Sequence, residues 1–166
     1  MQHTIGKQIL YGTSGVCRIE DIREESFTGV TRSYYILCPL GDAGKSKIFV
    51  PTDNEALVAM MHELLSPKAL LELTQATPRI GASEWPQDGR ARNKKCKELL
   101  ASGDRTSLIA LIKTVCAPGH TPTAAEEAAC LRAATMLYQE YSLVLDLTLA
   151  DMIPLILGKI EPTIKG

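Results

Sequence analysis

Aromatic residues make up only 5% of this 166-residue chain, which has a single tryptophan, Trp85, and two phenylalanines, Phe27 and Phe49. Net charge is equally scarce: 18 Lys and Arg stand against 19 Asp and Glu, leaving −1 at pH 7. A protein that searches DNA unaided is usually clearly basic, because phosphate neutralisation supplies most non-specific affinity. Near-neutrality therefore argues against strong autonomous binding to nucleic acid. The five cysteines (Cys17, Cys38, Cys96, Cys116, Cys130) contain no CxxC pair, which removes zinc ribbons and thioredoxin-like motifs. Odd in number and scattered, they read as reduced, mostly buried thiols of a cytoplasmic protein. Apolar runs are short and broken, so no membrane span is expected. A basic start followed by an apolar stretch and a small-residue cleavage site is missing, and no export signal is expected.

Catalytic and ligand-binding signals are also thin. His3, His62 and His120 have no metal-ligand spacing, and no strained nucleophile turn or paired acidic motif accompanies them. Gly41-Asp-Ala-Gly-Lys-Ser46 looks briefly like a phosphate-binding loop, but Pro39 stands where the first glycine is required. An apolar strand follows Lys47 instead of the helix whose N-terminus would receive the phosphates. The segment is read as a hairpin turn. The expectation is a protein that is not an enzyme and carries neither metal nor cofactor nor a small-molecule substrate.

What is present is a globular composition, 45% hydrophobic and 22% charged, long enough for one ordinary domain or two small ones. Its two parts read differently. Residues 8–11, 16–22, 33–37 and 47–50 are short β-rich runs separated by glycine turns at 12–15, 28–29 and 41–44. Val16, Arg18, Glu20 and Ile22 do not alternate cleanly against Cys17, Ile19 and Asp21, so the pattern leaves their facing open. Short strands with tight turns predict a small, strongly bent barrel of the SH3 or Tudor type.

After Pro51 the spacing becomes helical. Asp53 or Asn54 is placed to cap a helix with Ala56, Leu57, Met60, Met61, Leu64 and Leu65 on one face. Ser66-Pro67 opens a second helix to about Gln75, and Asp104 caps another carrying Leu108, Ile109, Leu111, Ile112, Val115 and Cys116. Thr123-Ala-Ala-Glu126 is a capping box for a long alanine-rich helix to about Tyr141. The segment 147–157 carries Pro154, so its helix is short or kinked. The expected class is α+β: a β module over 1–53 and a compact all-α module of five or six helices over 54–166.

One constellation stands out. Trp85 lies in a turn-rich loop, 77–89, and the stretch from Arg90 to Lys97 that follows the loop holds five cations and no anion: Arg90, Arg92, Lys94, Lys95 and Lys97. Arg90, Lys94 and Lys97 share a helical stripe. A ring beside positive charge suits insertion against bases, with phosphate held alongside. The same residues also fit a tryptophan that anchors a loop beside a solvated helix. Residue types alone leave both readings open.

The order of features resembles a known family. Gly6-Lys-Gln-Ile-Leu-Tyr-Gly-Thr-Ser-Gly-Val-Cys-Arg-Ile19, then Tyr34-Tyr-Ile-Leu37, then Ile48-Phe-Val-Pro-Thr-Asp-Asn54 resembles the RNA-polymerase-interacting domain of the CarD/CdnL family. Trp85, the basic run, Glu98-Leu-Leu-Ala-Ser-Gly-Asp-Arg105, 109–114 and Leu137-Tyr-Gln-Glu-Tyr141 resemble that family's helical DNA-binding domain. The resemblance implies a bacterial transcription regulator whose Tudor-like domain docks on the polymerase β subunit through Glu25, Lys47, Ile48, Phe49, Val50 and Pro51. It implies that the helical domain meets promoter DNA at the upstream bubble edge and stabilises open complexes. Trp85 would then be the minor-groove wedge, and Arg90, Arg92, Lys94, Lys95 and Lys97 the phosphate contacts. The alternative is a protein-only adaptor with a structural tryptophan. Where family members often carry cations, this chain has Glu25, Phe49 and the Pro86-Gln-Asp-Gly89 that follows Trp85. The same β-type domain occurs in the transcription-repair coupling factor, and without a helicase segment the chain resembles the stand-alone regulator.

Overall fold

The computed structural model describes residues 3–42 and 44–166. The chain divides into two compact units, Met1–Leu64 and Leu65–Gly166.

The first unit is an antiparallel sheet of five strands: β1 (Gln8–Tyr11), β2 (Val16–Phe27), β3 (Val30–Pro39), β4 (Ile48–Pro51) and β5 (Met61–Glu63), with spatial order β4-β3-β2-β1-β5. The long β2–β3 hairpin turns at Thr28-Gly29, where Phe27 faces Val30 and both turn residues have positive φ, 51° and 80°. That two-residue geometry matches the twist of the flanking strands, and Gly29 takes it without the Cβ penalty that Thr28 bears. The irregular facing along β2 has a concrete cause. The register slips between Ile19 and Asp21, so Glu20 is the extra residue of a β-bulge and the inward face changes parity there.

The sheet buries Ile9, Cys17, Ile19, Tyr35, Leu37, Val50 and Met61 together on one face. It is also tightly coiled. Phe27 is paired with Val30 and Phe49 with Ile36, positions that lie about 20 Å apart along a straight strand. Yet the two rings are 5.2 Å apart, centroid to centroid. Only a hairpin that curls over β4 permits this.

Here the structure corrects the helix expected from Asn54 to Leu65. Asn54 does cap a helix, its Oδ1 accepting from Leu57 N at 3.1 Å, but α1 (Glu55–Val58) is a single turn. Met61 and His62 then extend as β5, opposite Tyr11 and Leu10 of β1. So short a helix is marginal by itself, whereas β5 satisfies the outer edge of β1 and buries Met61 in the sheet core. The boundary expected at 53/54 accordingly falls after Leu64. Of the turn expected at 41–44, Ala43 lies outside the described residues; Asp42 Oδ1 accepts from Gly44 N at 3.1 Å.

The second unit holds α2 (Pro67–Ala76), α3 (Gly89–Ser102), α4 (Arg105–Val115), α5 (Ala124–Val144) and α6 (Met152–Ile156), plus a ribbon of β6 (Leu145–Asp146) with β7 (Thr163–Ile164) that periodicity does not announce. Its helix starts are chemically marked. Ser66, Asp88, Asp104 and Thr123 each accept from a backbone N–H of their first turn, and Glu126 returns to Thr123 N to complete the capping box. Gly103, at φ 63°, ends α3 in the left-handed conformation that glycine adopts without strain. Leu108, Ile109, Leu111, Ile112 and Val115 of α4 meet Ala129, Cys130, Ala133, Ala134 and Leu137 of α5 in one core. The alanines let the two helices approach closely. Among the described residues, no helix is long and apolar enough to cross a membrane.

Candidate functional site

Two surfaces collect the residues singled out by sequence. On the first unit, β4 ends the sheet order and has β3 as its ladder partner, so its outer edge offers unpaired backbone groups. The strand is too short to hold a partner by side chains of its own. Beside it, however, Phe27, Tyr34 and Phe49 form an edge-to-face triad, with centroids 5.3, 5.2 and 6.0 Å apart. Phe27 is 44% exposed and Val30, across the turn, 55%. Large apolar side chains clustered at a sheet edge mark an interaction surface more strongly than isolated ones do. Phe27 and Tyr34 were not among the expected docking residues; the signal that could have found Phe27 is its place against the Thr28-Gly29 turn, where a solvent-facing aromatic needs a reason.

The six residues expected at this surface divide by environment. Ile48, Phe49 and Pro51 are half-buried along β4, while Val50 is fully buried in the core and presents only its backbone. Glu25 accepts from Arg23 Nε at 2.7 Å, and Lys47 Nζ lies 3.4 Å from Glu20 Oε2. Glu20 also accepts the Cys38 thiol at 3.0 Å, and the bonds from Cys38 and Lys47 hold its carboxyl below the usual range. Both charges therefore belong to exposed local pairs, which solvent screens.

On the second unit, Trp85 is half-buried and packs against the helical core. Its indole Nε1 is buried without a hydrogen-bond partner among the described residues. A small cavity of about 260 Å³ adjoins it, walled by Arg79, Ile80, Thr114, the 117–119 turn and His120. The five cations that follow have unlike surroundings. Arg90, Lys94 and Lys97 are exposed, Lys95 is half-buried, and none has an ion-pair partner among the described residues. Arg92 instead turns inward: its Nε lies 3.2 Å from Glu126 Oε1, and its Nη1 donates to Gln87 O at 2.8 Å.

Glu126 is a hub that the capping-box pattern conceals. Fully buried, it contacts His120 Nε2 at 2.6 Å, Arg92 and the backbone of Thr123. Burial acts to raise its carboxyl, but the His120 and Thr123 bonds and the neighbouring positive charges outweigh this and hold it below the usual range. The unfolded chain therefore binds this proton more readily than the folded one. Glu126 contributes stability that is fully present above the ordinary carboxylate value, about 4.3, and is lost as pH falls through its lower folded value. Acid titration followed by Trp85 fluorescence, which reports this unit alone, is expected to show a steeper loss below about pH 5 in wild type than in Glu126→Gln.

The segments with family resemblance have structural work in this unit. Arg105 grips Glu140 with two bonds of 2.6 Å, and Glu140 also accepts from Leu65 N at 3.0 Å. Tyr141 bonds Thr74 Oγ1 at 2.6 Å in the core, and burial pushes its hydroxyl up to about 12. No group of three or more His, Cys, Asp or Glu among the described residues is arranged to hold a metal.

Comparison with known sequences bears on the first unit. Residues 3–63 match the profile of the CarD-like/TRCF RID domain family. No curated protein matches the chain.

Proposed function

We propose, from the premise that residues 3–63 belong to the CarD-like/TRCF RID domain family, that this chain is a bacterial transcription regulator docking on RNA polymerase through its first unit. The observation that carries the reading is the coincidence of that domain with an open β4 edge flanked by Phe27, Tyr34 and Phe49. A strand of the polymerase β subunit pairs with β4, so that backbone bonds give affinity and the aromatic triad gives specificity. The coiled hairpin supports a Tudor-like barrel as the docking body. Its role is interaction rather than catalysis.

The second unit then acts on promoter DNA from a delivered position. Docking turns a weak DNA contact into an intramolecular one at millimolar-range effective concentration. That removes the difficulty posed by a chain of charge −1. Arg90, Lys94, Lys95 and Lys97 are the phosphate contacts in this reading, with Trp85 at the distorted groove of the upstream bubble edge. Arg92, engaged with Glu126, serves to hold the helix that presents the others. The contacts favour whichever promoter state fits them, which is a population shift towards the open complex.

One observation favours the protein-only adaptor as a second reading. Trp85 packs against its own core, as a loop anchor does. Promoter open-complex lifetime separates the two readings. Arg90, Lys94 and Lys97 are exposed and have no ion-pair partner among the described residues, so changing all three to Gln is expected to leave folding intact. It shortens the lifetime and lowers the salt dependence by about 0.9 per lost phosphate contact. Unchanged lifetimes with polymerase still bound would leave the adaptor.

A further inference from the structure

Cys116 and Cys130 lie 14 positions apart in sequence, yet their Sγ atoms are 3.7 Å apart. Cys116 caps the C-terminus of α4, and Cys130 sits on the buried face of α5. A disulfide holds its sulfurs at about 2.05 Å, so closure needs a movement of about 1.6 Å in total. Cys130 is fixed within a long helix, whereas Cys116 is at a helix end, where the side chain and the last turn adjust most easily.

The thiols also differ in access. Cys116 is half-buried and lines an open cavity of about 740 Å³ with Thr74, Arg79, Lys113 and Leu155. Cys130 is 3% exposed. One sulfur is thus reachable by a small solute, and the other lies directly behind it. Cys96, the third thiol of this unit, is buried on α3.

We propose that Cys116 and Cys130 are a redox modification site, closing to an intramolecular disulfide under a two-electron oxidant of the peroxide class. The Cys116 thiolate attacks a peroxide oxygen, the O–O bond breaks, and Cys116 becomes a sulfenic acid as hydroxide leaves. The Cys130 sulfur then attacks the Cys116 sulfur and the S–O bond breaks. The departing hydroxide takes the Cys130 proton and leaves as water. Overall the two thiols give up two electrons and two protons, and one hydrogen peroxide becomes two waters. Burial, reinforced by the neighbouring Cys116, pushes the Cys130 thiol up to about 12, so it enters the second step still protonated.

The bond closes a ring around residues 116–130. Inside it lie the 117–119 turn and His120, which wall the cavity at Trp85, and Glu126, which His120 bonds. Oxidation therefore stiffens the segment facing Trp85, whatever partner that surface serves.

Treating the full chain with hydrogen peroxide and measuring intact mass and disulfide-linked peptides tests this. The expected result is a loss of about 2 Da, a 116–130 link, and slower amide exchange over 117–122, all reversed by a thiol reductant. Cys130→Ser is expected to leave a sulfenic acid on Cys116 that dimedone traps, while Cys96→Ser leaves the link unchanged. Unaltered mass, a gain of oxygen without the link, or links only between chains would overturn the proposal in wild type, without reliance on any variant.

Discussion

Arg105→Met is expected to lower the stability of the helical unit by about 3–5 kcal/mol, the range for removing one partner of a buried ion pair. Glu140 is only 2% exposed, and Arg105 supplies it with two charge-assisted bonds, at 2.6 Å each. Without the guanidinium, the carboxylate keeps Leu65 N as a partner but loses its counter-charge in a site closed to water. It must then ionise unpaired, take up a proton or drag the site open. Domains of this size have total stabilities of about 5–15 kcal/mol, so the loss is a large fraction. Urea denaturation followed by Trp85 fluorescence reads it directly. The double variant Arg105→Met, Glu140→Met is expected to regain much of the loss, because an apolar pair removes both desolvation penalties. If the double variant is as unstable as the single one, the pair is holding geometry rather than charge.

Phe49→Ala is expected to weaken binding to core RNA polymerase by about 30-fold, the equivalent of a hot-spot loss near 2 kcal/mol. Phe49 lies on the edge strand itself, in ring contact with both Phe27 and Tyr34, so its removal takes away the triad's centre. Phe27→Ala is expected to act in the same direction, since Phe27 is 44% exposed and carries less of the fold. Lys47→Gln changes little, because its charge is an exposed pair with Glu20 and rim charges act mainly on association rate. Biolayer interferometry with immobilised polymerase measures all three, and circular dichroism confirms that the sheet persists. Equal affinity for all three variants would place the docking surface elsewhere.

How much of this was legible beforehand depends on where the information lies. Helix starts are written locally, in Ser66, Asp104 and the Thr123–Glu126 box, and those readings agree with the structure. Asp88, the cap of α3, is as local a signal, overshadowed by the basic run after it. The 54–65 segment misled because its apolar spacing fits a helix, while its fate is decided by pairing with β1 across the sheet. The facing of β2 was unreadable for a definite reason, the bulge at Glu20. At the candidate surfaces, the sequence marks the strand at 47–50 and the cations, but neither the strand's place at the sheet edge nor the cations' environments. Nothing in the string tells that Arg92 turns to Glu126 while Arg90 does not, or that Phe27 curls back onto Phe49. Those facts are set by contacts between elements.

Trp85 shows the same division. Its singularity and its cationic neighbours are plain in sequence, and its half-burial against the core is not. Burial does not remove it from a DNA role, but shifts the weight of that role onto the exposed stripe of Arg90, Lys94 and Lys97. The proposed function therefore rests first on the docking unit, from which any DNA contact would be delivered.

Cross-linking the full chain to core RNA polymerase with an amine-reactive reagent, then mapping the joined peptides, tests that claim most directly. The account predicts a complex in which Lys47, next to the β4 edge, joins to the β subunit. Failure to form a complex, or cross-links to polymerase from Lys94, Lys95 and Lys97 with none from the first unit, would contradict it.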